Sequence, residues 1–299
     1  MKRAAVIDLG TNTFHILIAE QTNDGTIQDI YRERKFVKLA EDGIEKIGPL
    51  PYQRGLNALI HFQKIIKEKK VTQIKAFGTA ALRTASNGNA FIHDAKEKTG
   101  IHIELIPGSE EARLIHLGVI KAIQLGDEKG LIMDIGGGSV EFIIADKNEV
   151  FWAESFPIGV AVLYKNFHHQ DPISTKEIQT LESHLDDLLQ PLFNILKTHS
   201  APCLIGASGT FDVLENILPL QHRNKLSATI DAIHFLPLYK KVLQMNLEER
   251  RNSPKIPDTR SDMIVVAMIL IEYIIRNANV KKIMVSSYAM KEGILSEML

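Results

Sequence analysis

Near its start the chain reads AAVIDLGTNT (residues 4–13), an apolar run that ends in a turn rich in glycine and hydroxyl residues. This pattern predicts a buried strand that turns into a second strand over residues 14–19. The same order returns as LIMDIGGGS (residues 131–139), and the two aspartates lie 134 − 8 = 126 residues apart. A repeat of this kind indicates that the chain is built from two similar halves.

Strands and helices alternate through both halves, which is typical of an α/β protein with mixed sheets. We expect further strands at residues 27–39, 74–77, 103–106, 140–145, 151–156 and 203–206, and helices at residues 52–69 and 175–197. A second pair of turns, Gly78-Thr79-Ala80 and Gly206-Ala207-Ser208, has a similar offset of 206 − 78 = 128. The expected domains are residues 1–124 and 125–299.

The composition is that of an ordinary globular protein. The 299 residues are 45% hydrophobic and 24% charged, and the formal net charge is −1. Two domains of ordinary size fit this length. A dedicated nucleic-acid binder would carry a strong basic excess, so nucleic acid is not an expected partner. An anionic substrate stays possible, because a local pocket can be positive on a neutral protein.

No segment of the sequence is typical of a membrane protein or a secreted protein. The longest apolar run, residues 263–275, is interrupted by Glu272 and is shorter than the roughly 20 residues that span a bilayer. It predicts a buried core helix or a dimer interface. The single cysteine, Cys203, cannot form an internal disulfide, and Met1-Lys2-Arg3 leads directly into a strand. A cytoplasmic location and a possible homodimer follow as expectations.

The two glycine- and hydroxyl-rich turns have the chemistry of phosphate-binding loops. Backbone N–H groups in such a turn can converge on phosphate oxygens, and glycine allows the close approach. The aspartate before each turn ends a strand, where the ligand sites of α/β proteins form. If a pseudo-twofold axis relates the halves, both turns face one cleft and hold one phosphate chain. The structural alternative is a pair of tight hairpin turns.

Two carboxylates are candidates for a metal site. Asp134 and Glu141 flank the second glycine turn and are expected on adjacent strands. Two oxygen ligands suit Mg²⁺, which keeps several waters and shares substrate phosphates. The alternative for Glu141 is an exposed carboxylate on a strand.

The run Pro107-Gly108-Ser109 begins a helix that carries two further carboxylates. Glu111 shares a helical face with apolar residues and should lean inward, whereas Glu110 is placed for a surface ion pair with Arg113. An inward carboxylate could activate water, but both glutamates could also serve only the helix dipole.

An arginine and two histidines are further candidates for the site. Arg83 could clamp a phosphate or be a solvated helix residue. His168 and His169, in a polar loop without a metal-ligand partner, are expected at the surface.

Taken together, the motifs resemble the exopolyphosphatase and guanosine pentaphosphate phosphohydrolase (Ppx/GppA) family. The resemblance covers nearly the whole chain and depends on the order of the motifs. They are IDLGTNTF (7–14), TAALR (79–83), EEAR (110–113), MDIGGGSVE (133–141), GASGT (206–210), RSD (260–262) and SSYAMKEG (286–293).

The resemblance implies an actin-like ATPase (ribonuclease H-like) fold, duplicated into two domains with the active site in the cleft between them. It implies that Glu111 is the water-activating base and that Arg83 is a phosphate clamp. It also implies that Asp134 and Glu141 hold Mg²⁺ and that the last helix, about 287–299, packs back on the first domain. The phosphate path would be lined by Asn12, Thr13, Gly136, Gly137, Gly138, Ser139 and Gly209.

The expected reaction is release of terminal orthophosphate from inorganic polyphosphate, guanosine pentaphosphate or both, by attack of activated water. Thr13, Val140 and Val162 stand where many members have Ser, Thr and Arg. The sequence ends without the extra helical domain that longer members carry. Short polyphosphates or guanosine pentaphosphate are therefore expected to be at least as good substrates as long polyphosphate. The alternatives are an ATP-dependent acetate- or sugar-type kinase of the same superfold and a catalytically weak sensor of guanosine tetraphosphate or polyphosphate.

Overall fold

The computed structural model describes residues 2–23, 25–218 and 221–299. These residues form two compact units. The first comprises residues 1–118 and 290–299, and the second comprises residues 119–289. The division lies a few residues before the boundary expected at 124, and the end of the chain belongs to the first unit.

The first unit contains a five-stranded sheet and its helices. Its strands are β1 (Lys2–Leu9), β2 (Thr13–Gln21), β3 (Ile27–Phe36), β4 (Gln73–Gly78) and β5 (Ile103–Leu105). Its helices are α1 (Pro49–Glu68), α2 (Ala80–Thr84), α3 (Gly88–Thr99), α4 (Gly108–Ala122), which runs on into the second unit, and α12 (Met290–Met298).

The second unit contains a seven-stranded sheet. Its strands are β6 (Gly130–Ile135), β7 (Val140–Ala145), β8 (Val150–Phe156), β9 (Cys203–Ala207), β10 (Gln221–Asn224), β11 (Ser227–Asp231) and β12 (Lys282–Ser286). Its helices are α5 (Val160–Phe167), α6 (Thr175–Leu188), α7 (Gln190–Leu196), α8 (Gly209–Ile217), α9 (Phe235–Gln244), α10 (Leu247–Arg251) and α11 (Ile264–Asn277). Two short 3₁₀ turns lie at Ala232–His234 and Asp258–Arg260.

The two sheets share one topology, which bears out the internal repeat. The first has the order β3-β2-β1-β4-β5, and the second contains β8-β7-β6-β9-β12 with β11 and β10 added beyond β12. In each, the first three strands are antiparallel neighbours, and a parallel strand follows. The parallel pairing places Phe77 beside Asp8 and Ala207 beside Asp134, an offset of 207 − 77 = 130. The sequence match of 128 was therefore two residues out of register.

Each unit buries its own apolar core. The strands β6 and β7 are buried along their whole length, as expected for central strands covered on both faces. Ten of the fourteen residues of α11 are buried in the second core, so the apolar run is a core helix. Within the described residues, no helix is both long enough and apolar enough to cross a membrane.

Two expected elements differ from the structure. The expected long helix at 175–197 is broken into α6 and α7, because Pro191 lies in the first turn of α7, where its missing N–H costs nothing. A Ser174–Glu177 capping box begins α6. The third strand ends at Phe36 rather than at residue 39, since the backbone of residues 37–39 instead bonds to the first glycine turn.

The final helix packs within the first unit. Its Gly293 crosses α4 so closely that a methyl group there would lie 2.0 Å from the carbonyl oxygen of Leu114. Glu292 forms an ion pair with Arg32 of β3 at 2.9 Å, and Glu297 forms one with Arg113 of α4 at 2.8 Å. The last helix thereby joins the edge of the sheet to α4.

Candidate active site

The turn between β1 and β2 is closed by a hydrogen bond from the Gly10 N–H to the Thr13 carbonyl oxygen at 3.1 Å. The hydroxyls of Thr11 and Thr13 are buried and have no hydrogen-bond partner among the described residues. Buried hydroxyls are nearly always bonded in native proteins, so two unbonded ones in a single turn indicate a place for a polar ligand. This turn contains the predicted residues Asn12 and Thr13.

A neighbouring segment fixes this first turn. The N–H groups of Val37 and Lys38 both donate to the Asn12 carbonyl oxygen, at 2.9 and 3.0 Å, and the Leu39 N–H donates to that of Thr11 at 2.7 Å. Because the carbonyl groups are bonded on this side, the position of the turn is set before any ligand arrives.

The turn between β6 and β7 repeats this construction. The Gly136 N–H donates to the Ser139 carbonyl oxygen at 3.0 Å, the same bond as in the first turn. The start of α5 supports it, since the N–H groups of Val160 and Ala161 donate to the carbonyl oxygens of Gly136 and Gly137 at 3.0 and 2.9 Å. Gly159 lies so close that a methyl group there would be 2.3 Å from the Gly137 carbonyl carbon.

Asp134 and Glu141 lie directly opposite each other on β6 and β7, on either side of the glycine turn. Both are buried, with exposures of 7% and 1%. Ser155 of β8 donates to Glu141 Oε1 at 2.7 Å and so orients that carboxylate. Two buried carboxylates on one hairpin are the hard oxygen donors that Mg²⁺ prefers, so the residues present fit that ion. Glu141 is not the exposed strand residue of the alternative interpretation.

Gly209 begins α8, just after β9, the strand beside β6. The preceding residue, Ser208, has φ = 66° and ψ = −179°, a backbone conformation that residues other than glycine rarely adopt. A methyl group at Gly209 would lie 2.0 Å from Arg260 Nη2, so the Arg260 guanidinium lies against this glycine. Gly209 thus follows the strand that lies next to the Asp134–Glu141 hairpin.

In the first unit, Arg83 and Glu111 lie side by side. Arg83 Nη1 donates to the Ile106 carbonyl oxygen at 2.6 Å and lies 3.5 Å from Glu111 Oε2. Glu111 is 8% exposed and lies in the first turn of α4, where the helix dipole favours the carboxylate. The side chain leans inward as predicted, and Arg83 is not a fully solvated helix residue, since only 31% of its side chain is exposed.

Of three neighbouring predictions, those for Glu110 and His169 are confirmed and that for His168 is wrong. Glu110 forms the expected surface ion pair, accepting two bonds from Arg113 at 2.8 and 2.7 Å that lower its carboxyl pKa. His169 is exposed as predicted. The prediction for His168 was wrong: its side chain is 2% exposed, and its Nε2 lies 3.5 Å from an Asp171 oxygen. Its ring makes an edge-to-face contact with Tyr164, and its polar flanks in the sequence did not indicate this burial.

Comparison with known proteins now decides the family. The family model described as the Ppx/GppA phosphatase family matches residues 17–299. This chain belongs to the Ppx/GppA phosphatase family. A solved exopolyphosphatase from Cytophaga hutchinsonii is 37% identical and covers 99% of this chain and 97% of its own, with a TM-score of 0.94. The predicted α/β actin-like ATPase (ribonuclease H-like) fold, repeated in two units, is confirmed.

Two further proteins are similar to this chain. The Aquifex aeolicus Ppx/GppA family member is 24% identical over 99% of this chain, with a TM-score of 0.80, which shows the shared fold. The curated guanosine-5'-triphosphate,3'-diphosphate pyrophosphatase of Photobacterium profundum is 25% identical over 297 residues. These are 99% of this chain but 59% of that relative, so the chain spans little more than half its length.

The structure adds three residues that the sequence analysis did not place in the site: Thr11, Gly159 and Arg260. Thr11 lies in the same turn motif as Thr13, and its hydroxyl could have been predicted for phosphate binding on the same grounds. Arg260 stood in a matching motif without a role. Gly159 had no local signal, because its need for glycine arises from a loop about twenty residues earlier in the chain. The expectation that the sites of the two units face one cleft stays a prediction.

Proposed function

We propose that this Ppx/GppA protein is an exopolyphosphatase-type phosphoanhydride hydrolase. It releases terminal orthophosphate from inorganic polyphosphate, guanosine pentaphosphate or both. The observation that carries the proposal is the pair formed by Arg83 and Glu111, a largely buried carboxylate 3.5 Å from an anchored guanidinium. A carboxylate held this way can take a proton from water, and a guanidinium can fork onto phosphate oxygens.

In the proposed reaction a water oxygen attacks the terminal phosphorus while the bridging P–O bond breaks. Glu111 accepts the proton of the attacking water, and the electron pair of the broken bond leaves with the shortened phosphate chain. Arg83 offsets the charge that develops on the phosphoryl oxygens. Its bond to the Ile106 carbonyl oxygen holds the guanidinium in place, so little rearrangement is needed in the transition state.

The two glycine turns are proposed to hold the phosphate chain. Thr11 and Thr13 offer buried hydroxyls, while Ser139 and the glycines of the second turn offer a backbone close to the anion. Asp134 and Glu141 are proposed to hold Mg²⁺, which would neutralise phosphate charge when bound. The loop that begins α8 at Gly209 belongs to the same phosphate-binding surface of the second unit.

The test measures orthophosphate release from short polyphosphate, long polyphosphate, guanosine pentaphosphate and ATP, with Mg²⁺ and after chelation. Glu111→Gln keeps the shape of the side chain but cannot take a proton, so we expect turnover to fall by roughly two to four orders of magnitude. Substrate binding, measured by titration calorimetry, should persist. Glu110→Gln is the matched control, because Glu110 is occupied by Arg113 at the surface.

Each result assigns or removes a role. Near wild-type turnover of Glu111→Gln would remove Glu111 from the role of base. Tight binding of phosphate chains without release by the wild-type protein would favour a sensor over a hydrolase. Transfer of phosphate from ATP to an added acceptor would favour a kinase.

A further inference from the structure

Arg250, on the short helix α10, is the most deeply buried arginine of the described chain, with 1% of its surface exposed. Arginine is almost never buried unless its charge and donors are matched. Here Nε donates to the Ser261 carbonyl oxygen at 2.7 Å and Nη1 to that of Met245 at 2.5 Å. Nη2 forms an ion pair with Asp171 Oδ1 at 2.8 Å. One guanidinium thus ties three separate segments of the second unit together.

Asp171, in the loop between α5 and α6, is the acidic partner of this guanidinium, and 32% of its side chain is exposed. Its Oδ2 accepts a hydrogen bond from the Leu247 N–H at the start of α10. His168 lies beside it, and burial first, then the Arg250 charge, lowers the pKa of the imidazole. The histidine is therefore neutral near pH 7, and Asp171 is the group that balances the buried guanidinium.

The bond from Arg250 to Ser261 leads toward the proposed phosphate-binding surface. Ser261 closes the 3₁₀ turn Asp258–Arg260, since its hydroxyl donates to the Asp258 carbonyl oxygen at 2.6 Å. The preceding residue, Arg260, lies against Gly209, where an added methyl group would meet its Nη2 at 2.0 Å. Arg250 is therefore hydrogen-bonded to Ser261, the residue that follows Arg260 in the chain.

We propose that Arg250, neutralised by Asp171, is a positioning residue that sets the place of Arg260 and, through it, of the Ser208–Gly209 loop. The proposal rests on the proposed function, because that loop is part of the proposed phosphate-binding surface. Simple stabilisation does not explain this ion pair, since a pair whose carboxylate is 32% exposed adds little net stability. Three donors aimed at three segments instead specify one arrangement of the Asp258–Ser261 turn.

The experiment compares Arg250→Met, the double variant Arg250→Met with Asp171→Asn, and Arg251→Met. The single variant removes three hydrogen-bonded donors from the interior and leaves Asp171, whose side chain is 32% exposed, without its partner, so it is expected to lose stability. The double variant removes both charges, so its melting temperature should recover much of that loss. Arg251 is the matched control on the same helix, where its ion pair with Asp258 is exposed at both ends.

Two readouts separate positioning from stability. In the double variant we expect kcat/KM for tripolyphosphate to stay roughly 100-fold below wild type, because small displacements of binding groups cost that much. We also expect faster amide hydrogen exchange at residues 208–211 and 258–262, with unchanged protection of β6 and β7. Arg251→Met should match wild type in both measurements.

Recovery of both stability and kcat/KM in the double variant would overturn the proposal, as would unchanged exchange at residues 208–211. If the wild-type protein releases no phosphate, the proposed function fails by itself. The exchange measurement still decides the role of Arg250 in that case, because it needs no substrate.

Discussion

Gly159 illustrates how a single residue can control a site on another segment. A methyl group at this position would meet the Gly137 carbonyl carbon at 2.3 Å and the Gly138 nitrogen at 2.4 Å. Both atoms are backbone, so the second glycine turn itself must move. We expect Gly159→Ala to lower kcat/KM for phosphate chains by roughly 100-fold and the free energy of unfolding by about 1–3 kcal/mol.

The measurements are steady-state kinetics and urea unfolding. Gly126→Ala is the matched control, since a methyl group at Gly126 would meet nothing closer than a backbone nitrogen at 3.9 Å. Wild-type kinetics in Gly159→Ala would show that the turn does not need its present position.

Residues that the sequence predicted for the site share one property: their signal is local. The order aspartate, glycine, hydroxyl residue identified both turns, and the apolar face of α4 indicated that Glu111 leans inward. Arg260 and Gly159 carry no such local signal, because each gains its place only when distant segments meet. The buried position of His168 was missed for the same reason, since its loop is polar in sequence.

At the scale of elements, α12 contacts α4 in two ways, through a close backbone approach at Gly293 and through an exposed ion pair between Glu297 and Arg113. The helices approach closely because residue 293 is a glycine. A methyl group added there would lie only 2.0 Å from the Leu114 carbonyl oxygen. We expect Gly293→Ala to lower the free energy of unfolding by about 1–3 kcal/mol through overpacking. Turnover should also fall, because α4 carries Glu111 in its first turn. Thermal and urea unfolding, with phosphate release, test this.

The contrasting variant is Glu297→Gln, which breaks the exposed pair between α12 and Arg113. Exposed pairs contribute only about 0–1 kcal/mol, so this variant should unfold close to wild type. A larger loss in Glu297→Gln than in Gly293→Ala would mean that charge, rather than close packing, holds α12 in place.

The elements themselves were predicted to different degrees. Continuous apolar runs identified the central strands, since burial on both faces imposes that pattern. Helical periodicity continues on both sides of Pro191, so the pattern predicted one helix where the structure has two. Strands β10, β11 and β12 were not predicted, because short strands at the far end of a sheet depend on tertiary pairing more than on local pattern.

For the molecule as a whole, acid should weaken folding in two separable steps. Burial lowers the pKa of His116 in the first unit and of His168 in the second below the ordinary value of 6.5. Near pH 6 the unfolded chain therefore binds protons that the folded chain does not. The stability from these neutral imidazoles is complete above pH 6.5 and is lost as the pH falls below it, by up to about 1.4 kcal/mol per pH unit for each.

A second step belongs to carboxylates. The pKa values of Glu33 and Glu177 are lowered to about 2 by their hydrogen bonds, so their contribution is lost only as the pH falls below 4.5. Urea unfolding between pH 5 and 7.5 therefore isolates the histidines. We expect the free energy of unfolding to rise with pH across this window and the slope to shrink in His116→Gln and again in the double variant with His168→Gln. The exposed His102→Gln is the control, and an unchanged slope in the double variant would assign the acid sensitivity to other groups.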